Sequence, residues 1–364
     1  MAIFPRSPFA NPATLPLIRM LAVIKTQPGA GHVELRDVPE PEPAPHQVKL
    51  EISHCGICGT DLHVLHDTFR NFPPVILGHE FVGRVVKEGR DVQGSTSPTA
   101  RYAVLGATAV TCGKCEHCRS GEFMFCPDRR GMGHGVNGAF ARHACVRPDQ
   151  LFRLADNLPE EEGALVEPLA AAVHAVLERT EVRPGDIALV SGPGPIGLLC
   201  LMVLVHSGIR TLVAGTSADA RRLQLASQLG AAKVIDVQKD SLVETIQHET
   251  RSRGVDLAFE VAGVAASARA CLESLRPGGS YTQVGHFGRD ITLPFDLIGF
   301  RQLRVTGSVG YTARTWDRTL QLMAEGLRPS RIVTHRLPLA RWREGFELFE
   351  SKEALKVLLL PQSE

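Results

Sequence analysis

No run of apolar residues in this 364-residue chain approaches the ~18 that a membrane-spanning helix needs, although 44% of it is hydrophobic. A helical membrane span is thereby excluded. An excess of charge is also missing, since 40 Lys and Arg face 39 Asp and Glu for a formal net charge of +1. That removes the electrostatic footprint expected of a protein that binds nucleic acid or an anionic membrane surface. Neither internal repeats nor low-complexity segments occur, so repeat arrays and biased tracts are excluded too. The first nineteen residues carry Arg6 and Arg19 and no acid, in the manner of a transit peptide. Pro5, Pro8, Pro12 and Pro16 would break the amphipathic helix such a peptide needs, so residues 1–19 are expected to be a frayed extension. With no recognisable signal peptide the expected compartment is the cytoplasm, where thiols stay reduced and disulfides are disfavoured.

Cysteine is scarce, nine in all, yet four fall in "CGKCEHCRSGEFMFC", residues 112–126. Cys112, Cys115, Cys118 and Cys126 follow a C-x2-C-x2-C-x7-C spacing. Two-residue gaps let a tight turn, eased by Gly113 and Gly121, aim successive thiolates at one tetrahedral ion. An iron–sulfur cluster is the alternative, but only one such set exists, so zinc is favoured. Four thiolates leave no open position, which makes this site structural.

The N-terminal third alternates short apolar runs with Gly and Pro, the signature of an all-β barrel or sandwich. From about Asp186 the pattern becomes strand, helix, strand, which implies a parallel doubly wound sheet. "SGPGPIG" supplies Gly192, Gly194 and Gly197 in the G-x-G-x-x-G spacing, after an apolar strand and at the start of a helix that includes Pro195 and Ile196. That context marks a dinucleotide site, with the pyrophosphate on the helix N-terminus. Val261 and Gly285, after two later strands, are counted with it. Ser217 stands where NAD-binding units carry an acid. Ser217 with Arg221 or Arg222 would accept a 2′-phosphate, which favours NADP; the other reading gives Asp219 the ribose hydroxyls and leaves NAD.

A second set of metal-type residues lies in "HCGICGTDLH", "GHE" and "VEPLAAAVH". Cys58, His79, Glu80 and Glu167 combine a thiolate, an imidazole and carboxylates. Three protein ligands with one exchangeable position is the pattern of catalytic zinc, and a nicotinamide site needs a partner that activates an alcohol or carbonyl.

Taken in order, "GICGTDLH", "GHE", the cysteine lobe, "EPLAAAVHA" and "GPGPIG" resemble the zinc-dependent medium-chain dehydrogenase/reductase family, nearest its sorbitol, threonine and butanediol dehydrogenase branch. The resemblance implies an α/β protein, a GroES-like β-barrel catalytic domain beside a Rossmann doubly wound parallel sheet. It implies residues 20–175 as catalytic domain with the zinc lobe, 176–308 as Rossmann domain, and 309–364 returning to the first. It implies two zinc ions per chain, with Cys58 rather than Cys55 as catalytic ligand, then His79, Glu80, and Glu167 binding directly or through water. Thr60 and His63 would carry the substrate's proton outward, His63 having the alternative of a surface or capping histidine. The expected reaction is reversible hydride transfer from a secondary hydroxyl to NAD or NADP, in a homodimer or homotetramer paired through "RQLRVTGSVGY". Two readings compete: a zinc-independent enone or quinone reductase, which has no need of "GHE", and a nucleotide-binding sensor, which predicts damage to a ligand or to Thr60. Departures occur at Thr99 and Ala100, at Gly310 beside Tyr311 where polyol enzymes carry an arginine, and at Phe123, Met124 and Phe125, which hint at an apolar pocket.

Overall fold

Val48–Gly56 is buried along most of its length because three neighbours pair with it. Glu80–Glu88 runs antiparallel along one edge. The other edge is shared by His143–Val146 at one end and Lys356–Leu360 at the other. Tyr102–Val104 and Leu151–Arg153 extend the sheet beyond Glu80–Glu88, and Val333–Pro338 joins Lys356–Leu360 in parallel. The last strands of the chain therefore close on its N-terminal sheet. A three-stranded sheet of Arg19–Lys25, Val33–Pro39 and Val75–Ile76 packs nearby. This is a computed structural model that describes residues 18–363 other than 93, 95, 98, 107 and 108, so most of the N-terminal extension lies outside the described residues.

The second sheet is parallel throughout. Its spatial order is Lys233–Asp236, Arg210–Gly215, Ile187–Ser191, Val255–Glu260, Leu275–Gln283 and Arg304–Gly307. The chain starts in the middle, winds one way, then crosses back, so the strand order reverses between Ile187–Ser191 and Val255–Glu260. In such sheets ligands bind beyond the carboxyl ends of the strands at that reversal.

The helix Pro195–His206 is apolar all round, and its burial explains why. It lies between this sheet and the helix Val166–Val173. Leu198, Leu199, Leu201 and Leu204 are fully buried there, each contributing roughly 1.5–3 kcal/mol from apolar burial. By contrast Ala220–Gln228 buries only Leu223 and Ala226 and keeps a polar outer face. Among the described residues no helix is long and apolar enough to cross a membrane. All nine cysteines are free thiols.

Candidate active site and metal centres

Cys58 is the residue before the helix Gly59–Leu65, and its N–H donates to the Asp61 carboxylate at 2.9 Å, which fixes the turn. His79 and Glu80 come from the start of the facing strand, where Glu80 registers opposite Gly56. The side chain of Glu80 crosses the face of Gly56, and any Cβ there would collide with it. The ligand atoms of Cys58, His79 and Glu80 all lie within 4.8 Å of one another. Cys55 is buried in the core, its thiol pushed well up by burial and by Asp61 and Glu80.

Two groups absent from the sequence reasoning support this cluster. Lys356, fully buried, reaches in from the C-terminal strand to form an ion pair with Glu80 and donates to the Ile57 carbonyl at 2.9 Å. Asp61 stands 3.8 Å from His79 Nδ1, near enough to favour the imidazole's charge but beyond a hydrogen bond. Asp61 was legible as part of "GTD"; Lys356, 276 residues from Glu80, offered no local signal.

Glu167 sits in the first turn of Val166–Val173, outside the three-residue cluster, and accepts a hydrogen bond from Tyr311 Oη at 2.8 Å. Burial and the neighbouring Glu80 push its carboxyl up to about 7, against the opposing pull of His79, Tyr311 and Lys356. The His79 imidazole is held well above its ordinary range. Burial opposes its charge, but Cys58, Asp61 and Glu167 outweigh that. So buried and acidic a donor set favours a cation, and a thiolate with an imidazole and a carboxylate suits zinc.

Thr60 lies in the first turn of Gly59–Leu65, its Oγ1 3.7 Å from Cys58 Sγ. His63, one turn on, is exposed and meets Thr68 Oγ1 at 3.0 Å.

The second group is Cys112, Cys115, Cys118 and Cys126, whose sulfurs also lie within 4.8 Å of one another. Cys112 and Cys118 sulfurs are 3.9 Å apart, close to the ~3.8 Å edge of a tetrahedron with zinc–sulfur bonds of about 2.3 Å. Amide N–H groups point at the thiols, Cys115 to Cys112 at 3.3 Å and Cys118 to Cys115 at 3.4 Å. Those of Lys114 and Cys115 bring the Cys112 thiol down to about 6. The four residues thus suit a closed, structural ion.

At the dinucleotide end each glycine of the turn has its own geometry. Gly192 has φ of +109°, and a Cβ there would lie 2.7 Å from the Ala262 amide nitrogen. A Cβ on Gly197 would strike the carbonyl of Gly192, whereas at Gly194 none would meet any atom within 4 Å. Gly194 is also the residue before the helix, with Pro195 in its first turn and Ile196 half-buried behind it. The open face therefore belongs to the middle glycine, beside the helix N-terminus, where phosphates bind. Val261 and Gly285 stand at the carboxyl ends of neighbouring strands, tied by Val261 N–H to Ser191 O and Gly285 N–H to Glu260 O, both 2.9 Å.

Two expectations for the ribose end change. Asp219 turns inward, its carboxylate accepting from Thr216 N–H at 3.1 Å and Thr216 Oγ1 at 2.8 Å, so it is closed to a ribose. Arg222 donates to the Ala354 carbonyl at 3.0 Å and is largely buried against the C-terminal segment. Ser217 and Arg221 are exposed. Ser217 Oγ donates to Asp236 at 2.6 Å, and Lys239 neutralises that acid at 3.2 Å.

Comparison with known proteins agrees with this architecture. Residues 44–156 match the alcohol dehydrogenase GroES-like domain and residues 195–325 the zinc-binding dehydrogenase family. The chain is 35% identical to a sorbitol dehydrogenase of Halalkalibacterium halodurans, over 94% of this chain and 99% of that protein. It is 32% identical to a D-arabitol-phosphate dehydrogenase of Enterococcus avium, over 93% and 97%. A crystal structure of a zinc-binding dehydrogenase from Sinorhizobium meliloti bound to NADP superimposes with a TM-score of 0.85 at 31% identity, covering 94% of this chain and all of that one. A GroES-like half, a parallel sheet wound about a glycine turn, and full-length similarity at these identities lead to one assignment: the chain belongs to the zinc-dependent medium-chain dehydrogenase family.

Proposed function

We propose that the protein oxidises a secondary hydroxyl of a polyol or similarly hydroxylated small molecule, reversibly, with a nicotinamide dinucleotide. The observation that carries this is the cluster of half-buried Cys58 with buried His79 and Glu80. Glu167, whose charge His79 feels, lies on a helix packed against the one that the glycine turn opens. A zinc-independent reductase has no use for such a cluster, and a non-catalytic descendant has no reason to keep it intact beside Thr60.

Cys58, His79 and Glu80 would hold the catalytic zinc, which supplies a Lewis acid that lowers the pKa of a hydroxyl. Lys356 fixes one carboxylate oxygen of Glu80, and the Asp61 charge stands beside His79. Thr60 Oγ1 receives the hydroxyl proton and His63 releases it to solvent, since it occupies the exposed end of the same helix. Tyr311 donates to Glu167 and fixes the orientation of that carboxyl. Accepting the hydride is the chemistry of the nicotinamide; the protein provides alignment. The open face of Gly194 takes the pyrophosphate.

The cofactor is read as NADP in preference to NAD. Asp219 is turned inward at the end of Arg210–Gly215, and Ser217 and Arg221 stand exposed there. The lobe cysteines would hold a second, structural zinc. The edge strand Arg304–Gly307 has one sheet partner and exposes Val305, which suits pairing of two copies in a cytoplasmic homodimer or homotetramer. The test is zinc content together with a spectrophotometric assay of nicotinamide reduction, using polyols, threonine and secondary alcohols with each cofactor. Two zinc ions per chain and turnover of at least one hydroxyl substrate are expected; one zinc and no turnover would overturn the reading.

A further inference from the structure

Gly59–Leu65, the helix that carries Thr60 and His63, ends in a turn that folds back over its own last residues. Asp67 takes the left-handed conformation, with φ of +58°. Its N–H donates to the Val64 carbonyl at 3.2 Å, and the N–H of Thr68 donates to the His63 carbonyl at 2.9 Å. That pair of bonds is a Schellman ending, which sets the second residue past the cap over the last helical turn. An apolar contact commonly joins those two positions. Here both are polar: the Thr68 hydroxyl stands 3.0 Å from His63 Nδ1.

Asp67 is not glycine, so its left-handed conformation needs support from its surroundings. The Asp67 carboxylate accepts from Gly29 N–H at 3.0 Å and from Asn71 Nδ2 at 2.8 Å. Gly29 is anchored in turn by Lys25, a fully buried residue at the end of Arg19–Lys25. The Lys25 ammonium donates to the carbonyls of Gly29 and Gly31, the second at 2.8 Å, and Gly31 N–H donates to the Leu65 carbonyl at 2.7 Å. Thr68 and His63 are both exposed, yet the turn that brings them together is held from the core.

Counting hydrogens gives this contact a direction. Thr68 Oγ1 also lies 3.3 Å from the His63 carbonyl oxygen, to which it donates. A hydroxyl has one hydrogen, so both contacts are hydrogen bonds only when Nδ1 carries a hydrogen of its own and gives it to Oγ1. With the hydrogen on Nε2, one of the two contacts is lost. The arrangement also needs no change when the ring takes up a second proton, because Nδ1–H remains a donor in the imidazolium.

We propose that Thr68 is a positioning residue for proton release: it takes the Nδ1 hydrogen of His63 and leaves Nε2 as the base that accepts the proton passed outward from Thr60. The inference rests on the relay reading of His63 and adds the group that fixes its tautomer.

The test uses the full-length zinc-loaded enzyme with its histidines isotopically labelled at the ring nitrogens, His63 being identified by the signal lost in His63→Ala. At a pH where the ring is neutral, the nitrogen shifts are expected to report hydrogen on Nδ1 in wild type and in Thr68→Ser. Thr68→Val should lose that preference. It should also lower kcat for hydroxyl oxidation near neutral pH by about tenfold, with KM within about threefold of wild type and the melting temperature unchanged. Thr68→Ser should recover the rate, and imidazole added as a proton acceptor should restore both Thr68→Val and His63→Ala. Hydrogen on Nε2 in wild type would overturn the role of Thr68, as would a Thr68→Val enzyme of wild-type rate beside a slowed His63→Ala; either result leaves the relay standing. Full turnover by His63→Ala would instead overturn the relay reading, and the proposal with it. A wild type that oxidises no hydroxyl would overturn the dehydrogenase reading on which both depend.

Discussion

Among the described residues Lys356 and Glu80 form the most deeply buried ion pair, both side chains only 2% exposed. Breaking a buried pair leaves the survivor charged and desolvated, a loss of about 3–5 kcal/mol. Lys356→Met is therefore expected to lower the stability of the zinc-free protein by that order in a denaturant titration. It should also weaken retention of the catalytic zinc about 10–100-fold, as loss of a group bracing a ligand does, read by chelator competition. Unchanged zinc retention would mean that Lys356 serves the fold alone. The residue scale is also where sequence reasoning fell short. Cys58, His79 and Glu80 were legible because thiol, imidazole and carboxylate are metal donors. Lys356 was not, because only the closing of the last strand on Val48–Gly56 brings it to Glu80.

At the scale of elements, the glycine turn makes a paired prediction. Gly197→Ala drives a methyl into the Gly192 carbonyl and should lower stability by about 1–3 kcal/mol. Gly194→Ala meets no atom of the protein, so its melting should stay within about 0.5 kcal/mol of wild type. Its dinucleotide affinity should nevertheless fall at least about tenfold, because the methyl occupies the face a pyrophosphate needs. Calorimetric binding beside thermal melting checks both, and retained affinity in Gly194→Ala would contradict the placement. The cysteine lobe behaves as a separate element: Cys118→Ser should remove one zinc per chain and leave the other. Strand and helix periodicity made the parallel sheet readable, since each strand is an apolar run followed by a helix. The exact facing of Asp219 and Arg222 was not, because a side chain's direction at a strand's end depends on the turn. There the Thr216 cap draws Asp219 inward.

For the whole molecule, the return of the chain to its first sheet is the central design. It places Lys356 against Glu80 and leaves Arg304–Gly307 at the rim of the parallel sheet. Val305 and Val309 are each about half exposed there, 48% and 49%. Val305→Lys is expected to shift the protein toward monomer in sedimentation velocity, since charge on an edge strand opposes pairing; an unchanged mass would place the interface elsewhere. The measurement that bears most directly on the account is zinc stoichiometry and hydroxyl oxidation in Cys58→Ser, with circular dichroism as the control for folding. The account predicts a folded protein with one zinc fewer per chain than wild type and no nicotinamide reduction above background. A variant that keeps the wild-type zinc content and turnover would contradict it.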